Sequence, residues 1–328
     1  MSANSHSAIV DNSNPATSIF AKAMQQHAAG FLVSDGKTIP DANAILKDLL
    51  PASAGAGVFE TPGRNLETLN FGTLGISIQQ NLKLDQTPAI ESVSSATGTK
   101  ASVQPVIQRG SWVAIYGANL AQRTADWAGL IDSTGKLPTA VGEVSVLIDG
   151  KPASIYFASP GQVNVVAPDV APGDVSVVLT SNGISTAPVK VRANAQAPAF
   201  FQWGPSPYAL ATRYPDNAFS ANPSLGASYV AAKPGDVLIL WGTGFGAVTP
   251  DQNPGQLAQG SHAVSQAVSV SAGGIPATVL GAALTPGVAG LYQIAIQLPS
   301  SLPAGDVLLK ASVGGANTPD NVYVFVSP

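Results

Sequence analysis

Three aromatic residues outside the regular apolar runs, Trp127, Trp203 and Tyr208, lie in stretches rich in turn residues. Exposed loop aromatics stack on sugar rings through their apolar faces, which makes these three the candidate ligand-binding residues; the competing reading is that they close a core or a domain junction. Trp112 and Trp241 differ, because each falls within an apolar run that reads as a strand, and they are expected in a core. Other reactive side chains are sparse. The three histidines, His6, His27 and His262, have no zinc-pair spacing, and there is no cysteine, so disulfides and thiolate metal sites are excluded. Gly242-Thr-Gly-Phe-Gly presents bare backbone N–H groups, but its spacing fits neither the dinucleotide nor the Walker pattern, and it reads as a turn. Gly173-Asp174, Gly235-Asp236 and Gly305-Asp306 each precede Val or Leu runs; their repetition points to turn and strand-entry chemistry rather than to calcium ligation. Asp216, Asn217, Asp251 and Asn253 are loop oxygens of the same kind. No Gly-x-Ser-x-Gly elbow occurs, and no carboxylate pair stands out. The expectation is no catalytic residue, no cofactor and no metal site.

The elements that would position these residues are written twice. Lys233-Pro-Gly-Asp-Val-Leu-Ile-Leu-Trp-Gly-Thr-Gly-Phe-Gly is an apolar run between a Pro-Gly turn and a glycine-rich exit, and about 125 residues earlier Arg109-Gly-Ser-Trp-Val-Ala-Ile-Tyr-Gly-Ala-Asn-Leu says nearly the same. Val144–Ile148, Asp149-Gly150 and Pro152–Phe157 read as a hairpin, matched by the hairpin that starts at Val268. The offset between copies is 124 there (144 to 268) and 131 at the following Pro (168 to 299), so seven extra residues fall in a loop at 281–291. With 88–95, 112–116, 162–166, 175–180 and 189–191, the first copy has the strand count of a β-sandwich. Val113 and Ile115 should be equivalent to Leu238 and Leu240, all buried. In the linker 193–203, which lacks glycine and ends in three aromatics, Phe200 or Phe201 is expected to enter the second core.

Taken together, Tyr-Gly-Ala-Asn-Leu, Leu-Pro-Thr-Ala-Val-Gly-Glu-Val-Ser-Val, Ser-Pro-Gly-Gln-Val-Asn, Thr-Ser-Asn-Gly and Gly-Leu-Tyr-Gln-Ile make the chain from about 100 to 328 resemble the tandem C-terminal domain of secreted acidobacterial (Solibacter-type) proteins. Each half is also similar to the IPT/TIG class of immunoglobulin-like domains. The resemblance implies a non-catalytic β-module and an extracellular or cell-surface location.

Residues 1–87 lie outside the resemblance. Asn14-Pro15 and the apolar spacing up to Gly30 predict a helix at about 15–29, a second short helix follows Pro40, and 52–63 read as a connector. From 73 to 84 the even positions Leu74, Ile76, Ile78, Leu82 and Leu84 are apolar and the odd ones polar, a long amphipathic strand. Such a strand needs a sheet to cover it; since 85–87 leave room for only a tight reversal, these five residues are the candidate assembly residues, docking into a neighbouring subunit.

The expected fold is therefore mainly β, two tandem immunoglobulin-like sandwiches at 88–195 and 196–328 preceded by an N-terminal segment, 1–87, of helices and strand. Charged residues make up 10% of the 328, against roughly 25% in an average soluble domain, and the net charge is −4. That balance gives no footprint for nucleic acid, and no apolar run approaches a membrane span. Residues 1–14 lack the basic start and apolar core of a signal peptide, which suits a cytosolic protein or a mature or trimmed chain. The function expected is a non-enzymatic extracellular structural or adhesion protein whose partner is itself or a cell-surface component. The alternatives are a carbohydrate-binding module and a hydrolase of unrecognised type.

Overall fold

Alternation decides most of the architecture. In the stretches Gly173–Ser181 and Gly305–Val313 every second side chain is buried, the signature of strands with one face on a core. The computed structural model describes residues 87–97, 105–204 and 206–328, together with the backbone of a small antiparallel pairing of Glu60–Thr61 with Arg64–Asn65, which cuts into the connector expected at 52–63. The expected helices and the amphipathic stretch with Leu74, Ile76, Ile78, Leu82 and Leu84 lie outside the described residues.

The fold is mainly β. Its first sandwich is built from β1 (Ala89–Ser95), β2 (Trp112–Ala118), β3 (Val144–Ile148), β4 (Ser154–Ala158), β5 (Gln162–Val166), β6 (Gly173–Ser181) and β7 (Val189–Ala193). One sheet runs β1-β2-β5-β4 and ends on the short strand Ala125–Asp126; the facing sheet runs β7-β6-β3 between the short strands Val106–Ile107 and Ala140–Val141. The turn after β3 places Asp149 at φ 52° and Gly150 at φ 72°, the left-handed pair a two-residue hairpin requires.

The second sandwich repeats the plan with β8 (Ala199–Phe200), β9 (Ala211–Tyr214), β10 (Val237–Thr243), β11 (Val268–Ala272), β12 (Ile275–Leu284), β13 (Tyr292–Gln297), β14 (Gly305–Val313) and β15 (Tyr323–Val326). Its registers match the first. Val113 pairs with Val165 and Ile115 with Val163, as Leu238 pairs with Ile296 and Leu240 with Ile294. Val146 faces Leu179 as Val270 faces Ala311. Val113, Ile115, Leu238 and Leu240 are all fully buried, the first two in one sandwich core and the last two in the other. Gly117 and Gly242 close the equivalence: a Cβ at either would lie 2.0 Å from the Ala89 carbonyl oxygen or 2.6 Å from that of Ala199, so the neighbouring strand approaches too closely for any side chain.

The copies differ in two places. Where β1 runs along β2 for its whole length, the second unit divides that role between β8 and β9 and inserts an excursion carrying Trp203 and Tyr208. The seven extra residues expected in a loop at 281–291 in part lengthen a strand instead. β12 continues to Leu284 and pairs with β13 up to Tyr292, so the loop proper begins at Thr285.

Candidate functional site

The strands β2, β4 and β5 of one sheet are buried on both faces. On the inner face of β2, Val113 and Ile115 enter the sandwich core; on the outer face, Trp112, Ala114 and Tyr116 enter a third apolar cluster. This cluster also takes Tyr156, Phe157 and Val166 from the first unit and Phe201, Trp203, Tyr208, Leu210, Trp241, Val288, Ala289 and Leu291 from the second. It is a joint between the two sandwiches. Phe200 and Phe201 divide between the two environments: Phe200 enters the second core and Phe201, next in the chain, the joint. Trp112 and Trp241, expected in a core, belong to this joint rather than to either sandwich interior.

All the candidate ligand-binding aromatics are engaged here. Trp127 is half-buried and meets Tyr156 edge-on with ring centroids 4.9 Å apart and Trp112 at 5.7 Å. Trp203 is 4% exposed; its Nε1 donates to the Ser220 carbonyl at 3.3 Å, and Phe219 and Tyr229 stand against its ring at 5.0 and 5.1 Å. Tyr208 is 7% exposed, donates to Asp306 Oδ1 at 2.8 Å and accepts from Asn222 Nδ2 at 2.9 Å. Burial, with Asp306 beside it, pushes the Tyr208 hydroxyl up from its ordinary pKa. Burial alone pushes Tyr116 to about 12. Rings closed in this way offer no free face for a sugar to stack on, so the stacking role expected of Trp203 and Tyr208 is replaced by packing.

Polar bonds fix the joint. Trp112 N–H donates to Thr243 Oγ1 at 2.9 Å, that hydroxyl donates to the Gly290 carbonyl at 2.9 Å, and Trp112 Nε1 donates to the Ala289 carbonyl at 2.8 Å. Gly290 is at φ 62°, and a Cβ there would lie 2.4 Å from the Gly110 carbonyl oxygen. The loop that carries the seven-residue insertion is thus the piece that plugs into the first unit. Of Gly242-Thr-Gly-Phe-Gly, expected as a turn, Gly242 and Thr243 instead end β10, because they pair with β13 and β8, and only the glycines beyond, Gly244 at φ 77° and Gly246 at φ 95°, leave the strand; Thr243 bonds across the units.

At the rim, Arg109 spans both units. Its Nε donates to Asp169 at 2.6 Å, and its two terminal nitrogens donate to Asp251 at 2.9 and 3.0 Å. The guanidinium holds the Asp251 carboxyl below the usual carboxylate range. Asp251 opens a loop that leans on the first unit: Leu137 N–H donates to the Gly255 carbonyl, and Leu257 N–H to that of Gly135. Gln252 Nε2 donates to the carbonyls of Asn253 and Gln256, Asn253 Oδ1 accepts from Gly255 N–H, and the His262 ring nitrogens lie 2.8 Å from the carbonyls of Pro250 and Gln259. Between this loop and the first sandwich lies a cleft of about 290 Å³, lined by Pro152, Ser154, Pro168 and Pro254 among others.

The loop oxygens weighed as calcium ligands have other partners. Asp216 receives Arg213 at 2.5 and 3.2 Å, and that pair lowers its pKa; Asp174 receives Arg192, Asp236 accepts from Lys233 N–H, and Asp306 serves Tyr208. Among the described residues no three His, Cys, Asp or Glu side chains converge as a metal site would require. Arg109 and Thr243 were missed as site residues because nothing in spacing tells a cross-unit partner from a turn residue. A repeat-by-repeat comparison held one signal, the seven-residue surplus between β12 and β13.

Residues 88–193, the first sandwich, match the IPT/TIG domain family. No curated protein matches the chain. Among solved structures it is similar to a Bacteroides ovatus surface glycan-binding protein in complex with a mixed-linkage heptasaccharide, at 13% identity and TM-score 0.31, covering 70% of this chain and 46% of that one. A surface glycan-binding protein of Prevotella bryantii matches at 13% identity and TM-score 0.23, covering 72% and 42%. The gamma-CGTase of alkalophilic Bacillus clarkii matches at 10% identity and TM-score 0.24, covering 73% and 25%. The chain thus spans a quarter to a half of the length of these structures. No helix among the described residues is long and apolar enough to cross a membrane.

Proposed function

We propose that the chain is a non-catalytic module of an extracellular or cell-surface protein, in which two β-sandwiches act as one stiff body that presents a binding surface. The joint is the observation that carries this reading. Trp112, Trp203 and Trp241 are buried in it with Trp127 packed alongside, a heavy commitment of aromatic area if the units were meant to reorient. Carboxylates are committed likewise to arginines, lysines and turns, and those of Asp132, Asp216 and Asp251 are held below their ordinary pKa, whereas a general acid needs the opposite shift. The low charged fraction supports an extracellular setting.

Self-association belongs to the same proposal, supported by the parity of Leu74, Ile76, Ile78, Leu82 and Leu84; removing residues 1–84 should then lower the oligomeric state seen by analytical ultracentrifugation. The main test is small-angle scattering of the full chain beside Trp112→Ala. A single rigid envelope that becomes a distribution of separations in the variant is expected. Freely reorienting units in the unaltered chain would overturn the reading.

A further inference from the structure

The cleft at the joint is lined in part by side chains, those of Lys136, Thr139 and Gln256, to which the structural roles above assign nothing. Its volume, about 290 Å³, sits near the lower bound of ~300 Å³ for small-molecule sites. Lys136, Thr139 and Ser154 come from the first unit, Asn253 and Gln256 from the second, and Asp169 contributes the carboxylate oxygen that Arg109 Nε does not hold. Donors and acceptors therefore line one space, and with one cation, Lys136, and one anion, Asp169, no single sign of charge dominates. Pro152, Pro168 and Pro254 give the lining its apolar surface. Mixed donor-acceptor side chains beside small apolar surfaces suit a ligand whose every hydroxyl both donates and accepts. The walls are also preorganised, since Gln252, Asn253 and Arg109 fix the second unit's loop before any ligand arrives, which lowers the ordering cost of binding.

We propose that this cleft binds a neutral saccharide, with Lys136, Thr139, Asp169 and Gln256 bonding its hydroxyls and Pro152 and Pro254 bearing on its ring. The site is distinct from the aromatic residues, whose faces the joint occupies. It rests on the reading of the two units as one body, because seven of its lining residues come from the first unit and four from the second.

The test is calorimetric titration of the full chain with cellohexaose, xylohexaose, maltohexaose and an oligogalacturonide of the same length, repeated with Gln256→Ala and Thr139→Val. Expected is one-site binding of a neutral oligosaccharide, weakened about tenfold or more by either substitution, with the thermal midpoint unchanged. Gln122→Ala, in the separate hollow beside Arg123 and Glu143, should leave binding intact. Binding of none of the four, binding only of the charged oligomer, or binding that survives both cleft substitutions would overturn the site. Cleavage of a bound oligosaccharide, followed by chromatography, would instead overturn the non-catalytic reading while supporting the cleft. Scattering that shows separate units, with binding intact, would break the one-body premise and with it a site lined from both.

Discussion

At equivalent positions the outer faces of β2 and β10 carry different residues: Trp112, Ala114 and Tyr116 in the first unit, Val237, Ile239 and Trp241 in the second. The inner faces are nearly interchangeable, valine and isoleucine against two leucines, because each has the same task inside its own sandwich. Outer faces diverge because each meets different neighbours in the joint: Trp112 packs on Trp127 and Tyr156 and bonds the Ala289 carbonyl, whereas β10 lies beside the excursion that carries Trp203 and Tyr208. The second unit met this with its excursion after Phe200 and its lengthened β12–β13 hairpin, and the first with the Trp112, Trp127 and Tyr156 cluster.

The comparison can be broken most strongly at Trp112. Trp112→Ala removes a fully buried ring and its indole bond to the Ala289 carbonyl, while the backbone bond to Thr243 is kept; it should cost about 3–5 kcal/mol, splitting denaturant unfolding into two transitions. A single unsplit transition would show that the coupling of the two sandwiches does not rest on Trp112. Leu240→Ala, inside the second core alone, should cost about 2–5 kcal/mol and destabilise the second unit without separating it. A loss below about 0.5 kcal/mol would remove the core assignment of β10.

Smaller effects sharpen the comparison. Gly117→Ala and Gly242→Ala meet the same neighbouring carbonyl in each copy and should each cost about 1–3 kcal/mol; similar losses in chemical denaturation would confirm that the two strands are held alike. Below them comes Arg109→Ala. Its partner Asp251 is largely exposed and solvent-screened, so the expected loss is about 1 kcal/mol or less. The folded Asp251 pKa is depressed, so this contribution is present above the unfolded carboxylate value and fades as pH falls through the folded one. A stability difference between parent and Arg109→Ala that does not shrink on acidification would refute the pairing. Arg192→Ala, whose exposed ion pair with Asp174 stays within one unit, should change stability by less than about 0.5 kcal/mol.

Much of the sandwich was legible because a strand's period of two is a local property. Val144 to Ile148, Asp149-Gly150 and the segment beyond read as a hairpin without knowledge of the rest of the chain, and the seven principal strands of the first unit stand where apolar runs and turns put them. The repeat added register, since Val113 and Leu238 could be equated before their partners were known. The candidate site was far less legible. A loop tryptophan flanked by turn residues has the same local sequence whether its face meets solvent or another ring, and only the packing of Tyr156 on Trp127, or of Phe219 and Tyr229 on Trp203, distinguishes the cases.

What the sequence determined by itself, then, is whatever depends on near neighbours, parity and hairpin turns, together with the doubled unit. Tertiary structure alone decided which of the two faces of β2 is a core and which a joint, that a seven-residue surplus became a plug against Trp112, and that Lys136 and Gln256, 120 positions apart in the chain, pair as a backbone bridge and line one cleft. The physical reason is that alternation marks a side chain as facing one way or the other, while burial on both faces depends on surfaces contributed from more than a hundred residues away, and no short-range pattern encodes what will arrive there.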